Sequence, residues 1–456
     1  MVAVFGARPW VAFGCGFLHA LLFVLTSVPW IAEVLAVHGG LSPAGGWGVL
    51  LLIASVWGIL IGVFAWVVQR LARRSVTLAC CGAPFLWITT EFVRAHLPEI
   101  SFPWNLLGYP AAANLAIVQV TTLTGIYGVS FLVAGFNALV AWTDVAKSPS
   151  PRRRIAILAG TTALVLIVML AGPRLVPQAP YGHYARAVQL NFPEVASYPA
   201  DWFSAHVRDL DEVERFSLAP SVYKPDLLVW PEAPAPFSFQ DSQFAIRAVN
   251  LAIHFQHPFI AGVIEWKPPL DGDGPRVALA PYNSALLLNA HGQKVFSYDK
   301  MHLVPFGEYE PFPLIHRVVS SVSDEVGGFR KGKSYSVGPM AGGYFFGTFI
   351  CYEAIYPGEI RHFAANGAQL LVNISNDGWF GRSAAAEQHL HMARVRAVEN
   401  RRWLIRSTNN GFTVSVDPYG RIYRPLPPDI RAVADLPYDF RTDKTLYTRF
   451  KSSALL

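Results

Sequence analysis

The chain has 456 residues, of which 52% are hydrophobic and 15% charged, with a formal net charge of +6. That length allows two or three domains, and so apolar a composition excludes a single water-soluble globule. The positive charge does not point to nucleic acid, because several basic residues sit in short loops between apolar runs, where orientation in a bilayer accounts for them.

Up to about Gly172 the text is mostly long apolar runs, and from about Pro173 it has the ordinary mix of charges, turns and short strands. The expected organisation is a polytopic α-helical membrane domain (1–172), a linker (173–184), a globular domain (185–440) and a tail (441–456). Five segments reach the ~20 residues of helix that ~30 Å of hydrocarbon requires: 11–32, 47–69, 76–96, 116–142 and 155–172. The first also reads as an uncleaved signal sequence, but no small-residue cleavage site is evident and it is kept as an anchor. "QRLARRS" (69–75), "KSPSPRRR" (147–154) and Arg8 are strongly basic and belong inside, whereas the loops 38–46 and 98–113 carry no Lys or Arg and belong outside. Five crossings from an inside N-terminus put everything from Pro173 onward outside the cytoplasm. The outer stretch "LPEISFPWNLLGYPAAAN" either dips back into the interface or fills space between helices.

From Ala185 come short strand-like runs, "ARAVQLN", "DLLVW", "FIAGVIEW", "SALLLNAHGQKVFSYDK", "FFGTFI", "AQLLVNIS" and "WLIRSTNNGFTVSVDPYGR", with hairpin turns at "NAHGQ" and "NNG". Helical patterns lie between them in "PADWFSAHVRDLDEVERF", "SQFAIRAVNLAIHF", "GEIRHFAANG" and "EQHLHMARVRAVENRR". Strands alternating with helices over this length point to an α/β layered domain.

Cys351 is the one cysteine of this region, and an unpaired thiol in an exported domain is either inert core or a reactive nucleophile. Its place between the run "YFFGTFI" and the helical "PGEIRHFAANG" puts it on a strand-to-helix turn, where following backbone amides can receive an oxyanion. A thiol needs a base or a cation to ionise at neutral pH. The histidines, including the pair in "HLHMARVR", have no acidic or cysteine neighbour at metal-ligand spacing and read as structural or surface groups, so no metal is expected. Glu232, where "DLLVW" runs into Pro231, is a candidate base or a capping carboxylate. Lys300, at the end of "KVFSYDK", is a candidate oxyanion donor or a solvated lysine, with Glu308 and Glu310 soon after.

Together these three positions resemble the nitrilase superfamily, which pairs a Glu base, a Lys and a Cys nucleophile at strand ends of an αββα sandwich. "WPEAPAPF", "YDKMHLVPFGEYEP", "ICYEAIYP", "SNDGWFG", "QHLHMARVRAVENRRWLIRSTNNG" and "VDPYGRI", behind an apolar multi-helix half, are similar to the apolipoprotein N-acyltransferase family. The resemblance implies a bacterial inner-membrane, multi-pass acyltransferase with a periplasmic catalytic domain and no cofactor. Its Cys351 would take an acyl chain from a phospholipid as a thioester and pass it to the α-amine of a diacylglyceryl-cysteine apolipoprotein. It also implies supporting roles for Glu308, Tyr352 and Glu353, and places Tyr198, with Trp202 nearby, where the family carries a substrate-handling Trp. The family has eight membrane helices, against five before the catalytic domain and none after it here. A monomer is expected. The competing readings are a membrane-anchored hydrolase of a small amide or nitrile and a non-catalytic paralogue that binds lipoproteins; "EPFPLIHRVVSS", together with "FPWNLLGYP", reads as a lid or lipid mouth, or the first of them as buried core.

Overall fold

In the computed structural model, residues 1–97, 101–195, 198–269, 278–305, 307–309 and 328–450 are described. The chain forms two compact units, one of residues 1–37 with 41–177 and one of residues 178–456 with 38–40. Glu310, His316 and the rest of the lid segment 310–321 lie outside the described residues.

Among its described residues the first unit contains five helices long and apolar enough to cross a membrane: Pro9–Ser27, Pro43–Arg74, Val76–His96, Ile126–Val145 and Pro151–Leu175. Small residues let the first two approach. Ala12, Gly16, Ala20 and Val24 recur every four residues on one buried face, and a Cβ on Gly16 would lie 2.5 Å from the Ile61 carbonyl oxygen. Such close backbone packing is how helices associate where no hydrophobic difference from lipid drives them together.

Two expected spans differ from the observed helices. The run 11–32 breaks after Ser27, because Pro29 cannot donate into a continuing helix, and a separate helix covers Trp30–Val37. The run 116–142 breaks at Gly125, whose φ of 66° is left-handed, so the long helix starts only at Ile126. The apolar stretch after Val76–His96 is packed among the helices. Glu91 accepts from the Leu107 amide at 2.6 Å, Arg94 donates to the Trp104 carbonyl at 2.9 Å and Ser130 Oγ accepts from the Gly108 amide at 2.9 Å. Non-helical backbone between apolar helices is thereby supplied with partners.

Among the described residues of the second unit twelve strands form two six-stranded sheets, ordered β12-β1-β2-β3-β4-β5 and β11-β10-β9-β8-β7-β6. The strands of the first half are β1 (His183–Gln189), β2 (Leu227–Val229), β3 (Phe259–Lys267), β4 (Ala280–Leu288) and β5 (Lys294–Asp299). Those of the second are β6 (Val337–Pro339), β7 (Phe345–Ile350), β8 (Leu370–Ser375), β9 (Trp403–Thr408), β10 (Thr413–Val416), β11 (Ile422–Leu426) and β12 (Ala432–Tyr438). Pairings β1–β2–β3 and β7–β8–β9 are parallel; the others are antiparallel. "NAHGQ" makes the β4–β5 hairpin and "NNG" the β9–β10 hairpin, as read.

The helices Val207–Leu218 and Ser242–Phe255 bury Leu210, Val213, Phe244, Ala248 and Leu251 against the first sheet. Pro357–Ala365 and Ala385–Asn400 cover the second, and a Cβ on Gly347 of β7 would sit 2.4 Å from Phe363 Cβ. The sheets meet through polar and aromatic side chains: Ser407 of β9 donates to the carbonyls of Val188 and Val229, each at 3.3 Å, and the Phe296 ring of β5 meets that of Phe346 of β7 at 5.6 Å. This is the αββα sandwich that the motifs implied. Its parallel strands end together, and that edge carries the site.

Candidate active site

β2 ends at Val229, and the chain continues through Trp230 and Pro231 to Glu232. Gly262 of β3 lets that segment lie against the sheet, since a Cβ there would stand 2.4 Å from the Pro231 oxygen and 2.5 Å from Glu232 Cα. The Glu232 side chain is thus pressed into the interior at 6% exposure.

Lys300 follows β5 directly and is 1% exposed. Its Nζ lies 3.2 Å from Glu232 Oε1 and 3.0 Å from Glu308 Oε1. Asn283 of β4 donates from Nδ2 to the same two oxygens, both at 2.7 Å. Burial works against a charged ammonium here, but Glu232 and Glu308 outweigh it and hold the Lys300 pKa above its usual range. Lys300 therefore remains a cation, fixed between two carboxylates.

Cys351 comes one residue after β7 and starts a short 3₁₀ turn, Cys351–Ile355, before the helix Pro357–Ala365. The expected strand-to-helix turn is present with that extra turn inserted. Cys351 has φ of 47°, a left-handed conformation unusual for a residue with a Cβ, as sharp nucleophile turns require. Burial and the nearby Glu232 push its thiol pKa up, while Lys300 and a hydrogen bond with Ser375 pull it down. The thiol rests protonated, so its reaction needs a base that takes the proton as the bond forms.

Glu353 clamps the two halves together. Its Oε1 accepts from Tyr298 Oη at 2.7 Å and from the amides of Met301 and His302 at 2.7 and 3.2 Å, and its Oε2 accepts from the Ile350 amide at 2.6 Å. Burial raises its pKa to about 7 against the pull of those donors. Tyr352 is buried, with its ring 5.4 Å from that of Tyr356 and 6.1 Å from His302.

Several members of this site were not singled out in the sequence. Asn376, just past β8, donates its amide to Glu232 Oε2 at 2.8 Å. His389, read as structural or surface, is fully buried, with Nε2 3.0 Å from the Cys351 carbonyl and Nδ1 3.0 Å from Asp377. Asp377 is paired with Arg406 at 2.7 Å and accepts from Ser375 at 2.8 Å. Burial opposes ionisation of Asp377, yet Arg406 and His389 hold its pKa well below the carboxylate range. Cys351, Asp377 and His389 offer ligand atoms within 4.8 Å of one another, but the Asp377 and His389 atoms already bond Arg406, Ser375 and the Cys351 carbonyl. They serve as the frame beneath the thiol. The motif "SNDGWFG" contained Asn376 and Asp377, and "QHLHMARVRAVENRRWLIRSTNNG" contained His389; nothing in the text around Asn283 marked it.

Of the two substrate-handling candidates, Tyr198 is half-buried with its hydroxyl donating to the Pro234 carbonyl at 3.0 Å, and Trp202 is 5% exposed, stacked on His206 at 4.3 Å. Trp202 lines a cavity of about 100 Å³ with Phe192, Val195, Pro199, His206 and Pro234. A protonated thiol, a held cation and a carboxylate converging in one buried place can form and break a thioester.

Residues 185–439 match the carbon-nitrogen hydrolase family model, and residues 1–139 match the apolipoprotein N-acyltransferase N-terminal domain. An apolipoprotein N-acyltransferase of Geobacter metallireducens is 33% identical over 97% of this chain and 84% of its own length. One of Allorhizobium ampelinum is 32% identical over 76% and 68%, and one of Chlorobaculum tepidum is 30% identical over 94% and 82%. With both parts of the chain matched, it belongs to the apolipoprotein N-acyltransferase family.

Proposed function

We propose that this protein N-acylates the α-amine of the diacylglyceryl-cysteine of apolipoproteins, taking the acyl chain from a membrane phospholipid through a Cys351 thioester. The observation that carries the reading is the Lys300 ammonium held between Glu232 and Glu308 at the sheet edge where β7 delivers Cys351 in a left-handed turn. Glu232 takes the thiol proton as sulfur attacks the ester carbonyl, and Lys300 holds the developing oxyanion. Collapse expels the lysophospholipid oxygen, which leaves with the proton from Glu232. The acceptor amine then attacks the thioester, and its proton passes through Glu232 to the departing thiolate. Glu308 and Asn283 fix Lys300 and Glu232, Glu353 fixes both sides of the thiol turn, and Tyr198 and Trp202 border the substrate path.

The reading places the five helices in a bacterial inner membrane with the catalytic unit on the periplasmic side. The basic loops 69–75 and 147–154 support that orientation, as does the odd number of crossings. Both substrates are lipids whose reacting groups lie at that surface.

The test is intact-mass analysis of the full chain incubated with phospholipid, with Cys351→Ala as control. A hydroxylamine-labile fatty-acyl mass that is absent from the variant and discharged by a diacylated lipopeptide supports the reading. Absence of the adduct, or turnover to free fatty acid alone as an amidase-like hydrolase would give, overturns it.

A further inference from the structure

The second half-reaction has an unbalanced proton. At neutral pH an α-amine is mostly ammonium, with a pKa of about 7.7–8.0. Aminolysis of the thioester by an ammonium gives an amide, a thiol and one proton released. Glu232 passes the proton it takes from the attacking nitrogen to the departing thiolate and ends as it began. A second group that takes the first proton, the one that converts ammonium to nucleophilic amine, frees the step from its dependence on the minor fraction of free amine.

Glu194, in the loop after β1, is placed for this. Its Oε1 accepts from Asn409 Nδ2 at 3.1 Å, and that same nitrogen donates to Asn376 Oδ1 at 3.1 Å. Asn376 in turn gives its amide to Glu232. The two carboxyls are thus linked through two asparagines, Asn409 and Asn376, and the Glu194 carboxyl lies against Gly378, where a Cβ would stand 2.7 Å from Oε1. Glu194 Oε2 is buried and has no hydrogen-bond partner among the described residues. Its chain neighbours Pro193 and Val195 line the cavity of about 100 Å³, as does Pro234, two residues beyond Glu232. A buried carboxyl oxygen left open beside a second carboxylate is costly unless a cation or a donor arrives there.

We propose that Glu194 binds the acceptor ammonium through Oε2 and takes its first proton, leaving Glu232 free for the proton transfer to sulfur. The step rests on the N-acyltransferase reading. One N–H bond breaks at the ammonium, one O–H bond forms at Glu194, and that proton returns to solvent after the amide leaves. Burial and the neighbouring Glu232 raise the Glu194 pKa to about 8, so at neutral pH the empty carboxyl gives its proton to solvent as the ammonium enters and then accepts one from it. The other charged groups near this loop are already engaged. Asp377 is bound to Arg406, and Arg431, which lies over the Phe192 ring, is bound to Asp209 and Glu212. The His206 ring is stacked on Trp202, with Nδ1 2.8 Å from the Trp202 carbonyl.

The experiment compares wild-type full-length protein with Glu194→Gln in two single-turnover steps: acylation by phospholipid, and discharge of the isolated acyl-enzyme by a peptide bearing a diacylglyceryl-cysteine N-terminus. Acylation is expected within about twofold of wild type, which certifies a folded site, while discharge at about pH 7 falls roughly 10- to 100-fold. The pH profile carries the distinction. An ammonium beside Glu194 pulls that carboxyl's titration below 8, so wild-type discharge persists below that pH. The variant depends on free amine and loses about tenfold per pH unit below about 8. The gap therefore closes as pH rises to about 9. Equal discharge rates, a gap that does not change with pH, or a variant that cannot be acylated would each overturn the proposal. A wild-type protein that never acylates overturns the N-acyltransferase reading itself, a separable outcome.

Discussion

At the end of the first sheet, Lys300 lies between two carboxylates that also share an asparagine, so one cation and one amide join both acids. At the end of the second, the thiol of Cys351 rests on a frame of Asp377, His389 and Arg406 whose charges are spent on each other and on a backbone carbonyl. One edge keeps a charge poised for a substrate, and the other uses charge to hold a strained turn in shape. A buried cation with two counter-ions can stabilise a new anion cheaply, because its orientation is already fixed before reaction. A buried pair that is fully satisfied changes no charge, but removing one partner leaves the other exposed to the low dielectric.

The comparison is broken most severely on the first side. Lys300→Met removes the oxyanion donor and leaves Glu232 and Glu308 facing each other without a cation. Acyl-enzyme formation is expected to fall by about 10³-fold or more, measured as the rate of fatty-acyl mass appearing on Cys351. On the second side, Arg406→Met leaves Asp377 buried with only His389 and the Ser375 hydroxyl beside it. Stability is expected to drop by about 3–5 kcal/mol in denaturant unfolding, with activity lost through unfolding and not through altered chemistry in the surviving folded fraction.

Glu353 sharpens the division because it belongs to both sides, accepting from Tyr298, Met301 and His302 near the end of β5 and from Ile350 at the end of β7. In Glu353→Gln, one oxygen becomes an amide nitrogen that confronts a donor. Whichever way the amide turns, an N–H faces either the Ile350 amide or the Tyr298 group. About 1–3 kcal/mol of stability should be lost, with a roughly 10-fold drop in both half-reactions alike. A change in only one half-reaction would show that Glu353 acts on a substrate and not on the frame.

What the sequence shows and what it hides follow from range. The named strand ends were legible because Pro231 stops a strand, "YFFGTFI" is continuously apolar and a hairpin leads to Lys300. β6, β11 and β12 were not read as strands. Each contains a proline, Pro339, Pro425 or Pro437, and each lies at the edge of its sheet, the one place where a strand tolerates a missing donor. β12 nevertheless completes the first sheet along the whole of β1. The supporting side chains were hidden for a different reason. Asn283 sits mid-strand in "PYNSALLL" and looks like an interruption until its partners, 51 and 25 residues away, are in place. Glu232 and Asn376 are 144 residues apart, and no local pattern announces that bond.

The smallest effect is expected at the periphery of the first side. The Tyr198 hydroxyl donates to the carbonyl of Pro234, and so ties the loop after β1 to the segment two residues past Glu232. Its ring stands 6.3 Å, edge to face, from that of Trp202, which lines the small cavity. Tyr198→Phe deletes one hydrogen bond from a half-buried group and keeps the ring, so about 0.5–1.5 kcal/mol of stability should go. Because Glu232 itself is held by Lys300, Asn283 and Asn376, acylation should stay within about threefold of wild type. Tyr198→Ala removes the ring as well and should raise the lipopeptide concentration needed for half-maximal discharge more than it lowers the maximal rate. If instead Tyr198→Phe alone cuts acylation by tenfold or more, the hydroxyl is part of the machinery that sets Glu232, and the boundary between charged site and apolar rim must be moved outward to include it.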